Sequence, residues 1–108
     1  MKFIQVITTM PKSAQSASRR IARSLVSKRL AVCVQILGPI ESIYKWKGRV
    51  EKADEHLLLI KTVQLNYKKV ESVILKDHPY DVPEIIAIPI TQGSKDYLSW
   101  LQKETKLR

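Results

Sequence analysis

Short apolar stretches and segments with helical spacing follow one another along the chain. The stretch KFIQVITT (2–9) is rich in β-branched and aromatic residues and predicts a first strand, which Pro11 ends. Apolar residues then recur at helical spacing up to about Arg29, which predicts a helix capped by Ser13. The continuous apolar run LAVCVQI (30–36) predicts a buried second strand.

A long β-hairpin is predicted next. Gly38-Pro39 bends the chain, and Gly48 supplies a turn inside the stretch IESIYKWKGRVE. The returning strand ends in HLLLIKT (56–62), whose composition predicts burial on both faces. Strict alternation places four side chains on one side of the outgoing strand: Ile40, Ser42, Tyr44 and Trp46.

A second helix, a last strand and a terminal helix complete the pattern. Helical spacing over 64–76 predicts a helix that ends before Pro79, because a residue that precedes proline is pushed out of the α region. The stretch EIIAIPI (84–90) predicts a strand, and its Pro89 favours either an edge of the sheet or the end of a strand. The stretch SKDYLSWLQKE (94–104) predicts a short helix capped by its first residue.

The order of these elements predicts the fold class. The order β-α-β-β-α-β with a C-terminal helix indicates an α+β protein with the ferredoxin-like split βαβ arrangement, an antiparallel sheet with helices on one face. The 108 residues fit a single domain, 1–108. The predicted hairpin is too long for its own sheet and exposes unpaired strand edges. Pairing between copies removes such edges, so we expect a closed symmetric homo-oligomer.

Composition narrows the class of protein. The net charge of +9 suits nucleic acid, anionic lipid or anionic metabolites as partners, and it equally suits a lysine-rich soluble surface. The one cysteine, Cys33, allows no intrachain disulfide and is expected in the core. The N-terminal stretch lacks a small-residue cleavage site, and the apolar runs are too short to span a bilayer. We therefore expect a cytoplasmic protein without a membrane partner.

Several common catalytic and binding motifs are absent from the sequence. No glycine-rich loop precedes a helix, no HExxH motif occurs, and neither histidine stands in a recognisable nucleophile arrangement. An RNA-binding sheet of this topology needs aromatic residues on its central strands, where the first strand offers only Phe3 at its edge. We therefore expect no specific nucleic-acid partner.

The loop HPYDVPE (78–84) is a candidate metal site, because two prolines stiffen it around several polar side chains. His78 leads into the loop, with Tyr80, Asp81 and Glu84 within reach. Neutral imidazole and carboxylate together suit a first-row divalent metal. The alternative is that His78 caps the second helix and that Glu84 pairs with a lysine.

A small polar pocket is also predicted. Lys61 follows a buried apolar run, where its charge needs a partner. Glu84 is the nearest candidate, because the two strands could be neighbours. The aromatic side chains of Tyr44 and Trp46 would complete the pocket. Alternatively, these two rings fill a boundary between subunits.

Three motifs in this order resemble the CutA family of divalent-cation-tolerance proteins: Y-x-W-x-G (44–48), IKT (60–62) and HPY-x-x-PE (78–84). The resemblance covers almost the whole chain. It implies ferredoxin-like trimers joined through long hairpin arms, similar in architecture to PII signalling proteins, with no established enzymatic reaction. It also implies tolerance of divalent metals, with copper or another divalent cation as the ligand.

Carried over residue by residue, the resemblance identifies His78 as the metal candidate, because it matches the family histidine before Pro-Tyr. Some members have a second histidine where this chain has Asp77, and a cysteine where it has Thr8. Both departures remove ligands that favour copper.

Two functional hypotheses follow. The favoured one is a non-enzymatic homotrimer that acts in divalent-cation tolerance. The alternative is a PII-like trimeric signalling or scaffold protein that binds a small anionic ligand or a protein partner. Under the favoured hypothesis the site lies at the clefts between subunits and uses five residues: Tyr44, Trp46, Lys61, His78 and Glu84.

Overall fold

The strands form one four-stranded antiparallel sheet within residues 1–106, the part of the chain that the computed structural model describes. The elements are β1 (Phe3–Pro11), α1 (Gln15–Ser27), β2 (Cys33–Trp46), β3 (Arg49–Val63), α2 (Tyr67–Asp77), β4 (Ile85–Ile90) and α3 (Lys95–Glu104). The sheet order is β2-β3-β1-β4, which confirms the ferredoxin-like α+β prediction and places β4 at an edge. Within the described residues, no helix is long and apolar enough to cross a membrane.

The main core lies between the sheet and the helices α1 and α2. Val6 of β1 lies opposite Ile60 of β3, and both side chains are fully buried. Each such side chain contributes about 1.5–3 kcal/mol on burial. Four buried helix residues join the same cluster: Ile21, Leu25, Val70 and Ile74. Alternation in the strands and helical spacing in α1 and α2 therefore specify this core together.

The third helix packs on the other side of the sheet. Leu101 of α3 is fully buried against Val32 and Val63, with Phe3 and Cys33 at the margin. Phe3 and Val63 lie opposite each other, one residue out of phase with the core-facing side chains of β1 and β3. The expectation of helices on one face therefore holds for α1 and α2 only. Cys33 is half-buried beside α3 and not fully enclosed.

The loop between α1 and β2 caps the C-terminal end of α3. The Arg29 guanidinium donates hydrogen bonds to the carbonyl oxygens of Lys103 at 2.9 Å and Glu104 at 3.1 Å. The backbone N–H of Lys106 donates to the Arg29 carbonyl at 2.7 Å. A helix end leaves carbonyl groups unpaired, and a cation there complements the helix dipole. Arg29 therefore fixes the terminal helix against the body of the protein.

The hairpin outgrows the sheet, as predicted. β1 pairs with β3 only between Glu55 and Val63, whereas pairing of β2 with β3 continues to Trp46 opposite Arg49. Residues 40–54 therefore form a two-stranded extension, which we call the arm. Its turn, Lys47-Gly48, has φ values of 51° and 78°, which suit a two-residue hairpin turn and explain the glycine.

The outgoing strand differs from its prediction. β2 begins at Cys33 and continues through Gly38-Pro39, where the peptide bond is cis and the register shifts between Leu37 and Ile40. Gly38-Pro39 therefore forms a bulge within one strand and does not separate two strands. The predicted burial of 30–36 is wrong at its C-terminal end, where Gln35 and Ile36 are exposed, because β2 is an edge strand.

The apolar run of β3 is buried on one face only. Leu58 and Ile60 are fully buried toward α1 and α2. Leu57 and Leu59 are only half-buried on the opposite surface, which we call the open face. The prediction of burial on both faces is therefore wrong for a single chain, because α3 covers only one end of the open face.

Helix α1 starts one residue later than predicted. A turn closed by the Ala14 N–H and the Pro11 carbonyl moves the cap position to Ala14, so the prediction of a Ser13 cap is wrong. Ser94 does occupy the cap position of α3, but within the described residues its side chain makes no capping hydrogen bond.

His56 connects β3 to α1 inside the core. Its Nε2 lies 2.6 Å from the Ser18 hydroxyl oxygen, and that hydroxyl lies 3.1 Å from the Ala14 carbonyl oxygen. Gly38 of β2 approaches the same histidine so closely that an added Cβ would lie 2.7 Å from the His56 Cβ. The bulge and the buried histidine therefore fit together only with glycine at position 38.

Replacing this glycine tests that contact. We expect Gly38→Ala to lower the free energy of unfolding by about 1–3 kcal/mol, because the new methyl group meets strand atoms that cannot rotate away. Gly93→Ala is the control, since its nearest neighbours are side-chain atoms of Leu98, which can move. Urea unfolding measures both variants, and equal costs would contradict the argument.

The buried histidine also predicts acid sensitivity. Burial lowers the pKa of His56 below its usual value of 6.5, and the charge of Arg19 lowers it further while that of Glu55 opposes the shift. Protonation therefore favours the unfolded chain. The stabilising effect is complete above about pH 6.5 and is lost as the pH falls through the folded-state pKa.

We expect the thermal midpoint to fall between about pH 6.5 and pH 5, and His56→Gln to fall less steeply over that range. Each protein is compared with its own midpoint at pH 8, so that any fixed cost of the substitution cancels. Parallel curves for the two proteins would show that His56 does not contribute to the acid sensitivity.

Candidate functional site

An open cavity of about 590 Å³ lies where the arm leaves the sheet. Its wall includes Thr9 of β1, side chains of the arm and residues of the loop that follows α2. Three aromatic side chains line it: Tyr44, Trp46 and Tyr80. Three carboxylates line it as well: Glu55, Asp81 and Glu84. The cavity therefore combines aromatic rings with negative charge.

Strand alternation explains why the arm supplies these side chains. Ser42, Tyr44 and Trp46 are separated by two residues each, so they point to the same side of β2, and all three line the cavity. Glu55 joins them because it lies opposite Ile40, which is in the same phase. The predicted alternation is thus confirmed in the cavity wall, although Ile43 also reaches it from the other phase.

His78 connects α2 to the loop through both of its ring nitrogens. It occupies the C-cap position of α2, as the alternative prediction proposed. Its Nδ1 accepts a hydrogen bond from the Tyr80 N–H at 3.1 Å, so the proton lies on Nε2, which donates to the Thr9 carbonyl at 2.8 Å. Burial lowers the pKa of His78, which favours this neutral form. Ligation of a metal would require one of these hydrogen bonds to break.

Tyr80 attaches the loop to β3. Its hydroxyl donates a hydrogen bond of 2.6 Å to Glu55, whose side chain is only 6% exposed. Burial raises the pKa of Tyr80, and the hydrogen bond to Glu55 and the charge of that carboxylate raise it further. Tyr80 therefore stays protonated as a donor, and its ring also lies 5.1 Å from the ring of His78.

The structure brings together only part of the predicted site. Tyr44, Trp46 and Glu84 line the cavity, whereas His78 lies behind it. Lys61 lies elsewhere in the sheet and donates a hydrogen bond to the side-chain oxygen of Gln35. The predicted Lys61–Glu84 pair is wrong, because β1 lies between β3 and β4 in the sheet.

Sequence reasoning missed Glu55 as a site residue. A weak signal was present, because Glu55 directly precedes the apolar run of β3 and is in phase with Leu57 and Leu59 on the open face. Tyr80 was recognised only as a member of the stiff loop. Its role depends on a contact between residues 25 positions apart, which local patterns do not predict.

Residues 1–106 contain no group of three or more histidine, cysteine, aspartate or glutamate side chains arranged to hold a metal ion. Asp77, which precedes His78, accepts two hydrogen bonds from Arg20 at 2.9 and 3.0 Å. The hydrogen bond from Arg20 and its charge hold the pKa of Asp77 below its usual value. Thr8 is fully buried, and its hydroxyl has no hydrogen-bond partner among the described residues.

Comparison with known proteins gives a consistent family. The family model described as CutA1 divalent ion tolerance protein matches residues 4–104. A chloroplastic CutA protein of Arabidopsis thaliana is 44% identical over 95% of this chain, which spans 56% of that relative's length. The divalent-cation tolerance protein CutA of Thermus thermophilus is 43% identical, with 93% of this chain and 95% of that protein covered.

Solved structures agree with the sequence comparison. The crystal structure of CutA1 from Oryza sativa has a TM-score of 0.90 and 40% identity, with 98% of this chain and 95% of that chain covered. The Thermus thermophilus protein also has a TM-score of 0.90, at 41% identity, with 96% and 99% covered. The sheet, the arm and these similarities together show that the chain belongs to the CutA1 family of divalent ion tolerance proteins.

Proposed function

We propose that the protein acts in tolerance of divalent cations as a non-enzymatic homotrimer, and that the cavity beside the arm is its ligand site. Family membership supports the role in cation tolerance. The observation that carries the ligand site is the cavity wall, where three carboxylates and, among the described residues, no lysine or arginine line the space. On a chain with a net charge of +9, this is a local region that attracts cations.

The same wall argues against the alternative of a small anionic ligand, because carboxylates repel anions. The proposed compartment is the cytoplasm, which suits a single cysteine that cannot form an intrachain disulfide.

An uncovered apolar surface supports assembly of several copies. Ile7 lies opposite both Leu59 and Ile86, so apolar side chains cross the open face from β3 to β4. Leu37 and Leu57 extend this surface toward the arm. Contiguous exposed apolar patches mark interaction sites, and strand edges of the arm remain unpaired in one chain. The number of three subunits rests on the resemblance stated above.

Light scattering after size-exclusion chromatography tests the assembly. We expect three times the mass of one chain for the wild type. Leu37→Lys should reduce that mass, because it places a charge in an apolar contact. Leu75→Lys on α2 is the matched control, since Leu75 is 52% exposed and Leu37 is 53% exposed. A wild-type mass of one chain, or an unchanged mass for Leu37→Lys, would contradict the proposal.

Oxygen donors dominate the proposed ligand site. Carboxylates suit hard divalent cations such as Mn²⁺ and Mg²⁺ better than copper, and Mg²⁺ is commonly held by one or two carboxylates and several water molecules. Asp81 and Glu84 are exposed in the loop and are the proposed metal ligands. We propose that the main role of His78 is to position this loop, because both of its ring nitrogens already form hydrogen bonds.

Calorimetric titration tests this assignment. We expect Asp81→Asn with Glu84→Gln to weaken Mn²⁺ binding by about tenfold or more. The control variant, Asp96→Asn with Glu104→Gln, removes the same number of negative charges from α3 and should leave the Mn²⁺ affinity unchanged. Copper heats should be equal in the wild type and His78→Gln. Equal Mn²⁺ affinities in the two double variants would reject the loop carboxylates. A loss of copper heat in His78→Gln with Mn²⁺ binding retained would identify the imidazole as a ligand, because the loop would still be in place.

A further inference from the structure

We infer that the cavity binds an organic ammonium cation, held between the rings of Tyr44, Trp46 and Tyr80 and the carboxylates of Glu55, Asp81 and Glu84. This inference rests on the proposal that the cavity is the ligand site. It does not depend on the role in metal tolerance.

No described residue neutralises the negative charge of the cavity through an ion pair. Glu55 is nine-tenths buried in the wall and accepts its hydrogen bond from a neutral phenol. Neither it nor Asp81 or Glu84 forms an ion pair with a described residue. The ion pairs of residues 1–106 lie elsewhere: Arg20–Asp77, Lys52–Glu41 and Lys68–Glu71. A buried carboxylate without a cationic partner favours a ligand that supplies the positive charge.

The aromatic side chains indicate what kind of cation fits. The face of an aromatic ring attracts cations, and quaternary ammonium groups are commonly recognised in this way. The ring of Tyr80 is held in place by its hydroxyl bond to Glu55 and by its contact with His78. Trp46 already attracts an alkylammonium group, since the Lys47 Nζ lies 5.9 Å from its ring centroid. Rings and carboxylates together recognise a cation that carries apolar groups.

The cavity is large enough for an organic ligand. Its volume of about 590 Å³ lies in the range of roughly 300–1,000 Å³ that is usual for sites of organic ligands. Asp81 and Glu84 supply two carboxylates for a hydrated metal ion, whereas the described residues offer no group of three donors that would enclose a bare one. An ammonium ion that carries alkyl groups needs no fixed coordination geometry and can contact separated carboxylates and rings at once.

Tetramethylammonium chloride is a suitable probe, because a neutral molecule of similar shape, tert-butanol, can serve as its control. Trp100→Leu serves as the background, so that the indole fluorescence reports on Trp46 alone. Calorimetry on the wild-type protein gives the affinity. We expect tetramethylammonium to bind and to change the Trp46 emission, and tert-butanol and sodium chloride at equal concentration to do neither.

Variants assign the two parts of the site. Trp46→Leu removes one ring and keeps the carboxylates, and we expect it to weaken tetramethylammonium binding about fivefold to tenfold. Trp100→Leu is the matched control, because each of these tryptophans is 45% exposed. Asp81→Asn with Glu84→Gln should weaken binding at least as much, while Asp96→Asn should have no effect.

Three results would overturn the inference: no binding of tetramethylammonium, equal binding of tert-butanol, or an affinity that none of the cavity variants changes. Titration of the same samples with Mn²⁺ shows whether only the organic ligand is wrong or whether the cavity is not a ligand site at all. If Mn²⁺ binds through Asp81 and Glu84 and tetramethylammonium does not bind, only the organic ligand is rejected. If neither Mn²⁺ nor tetramethylammonium binds, the cavity is rejected as a ligand site as well.

Discussion

The structure depends on a difference in length between neighbouring strands. β3 has 15 residues, whereas β1 has nine. Of β3, only the C-terminal part pairs with β1. Among the described residues, the rest of β3 pairs with β2 alone, so the arm extends beyond the body of the sheet. A two-stranded ribbon without further cover is marginally stable in water. The arm therefore needs contacts that its own sheet does not supply, and the space beside it becomes the cavity.

Three hydrogen bonds hold the opposite wall of that cavity in place. His78 donates to the Thr9 carbonyl and accepts from the Tyr80 N–H, and Tyr80 donates to Glu55. These bonds connect the end of α2 with both central strands. Burial favours the neutral forms of the histidine and the tyrosine, so the network consists of one carboxylate and uncharged partners. The loop after α2 therefore keeps its place in the cavity wall because hydrogen bonds hold it to β1 and to β3.

Charge is distributed unevenly over the molecule. No acidic residue precedes Glu41, so every charged side chain of the first helix is basic. The acidic residues of the cavity belong to β3 and to the loop after α2. A cation therefore meets an attractive region inside a surface that repels it elsewhere. Such an arrangement favours selective binding in the cavity over general binding to the surface.

The sequence by itself determined the order of the elements and the phase of the arm, because both depend on periodicities within a few residues. Helical spacing identified α1 and α2, and alternation placed Tyr44 and Trp46 on one side. The element order predicted the ferredoxin-like sheet, but only the tertiary structure showed which side chains meet. It separated Lys61 from Glu84 and brought Tyr80 to Glu55, because side chains far apart in sequence meet only through sheet order and loop path.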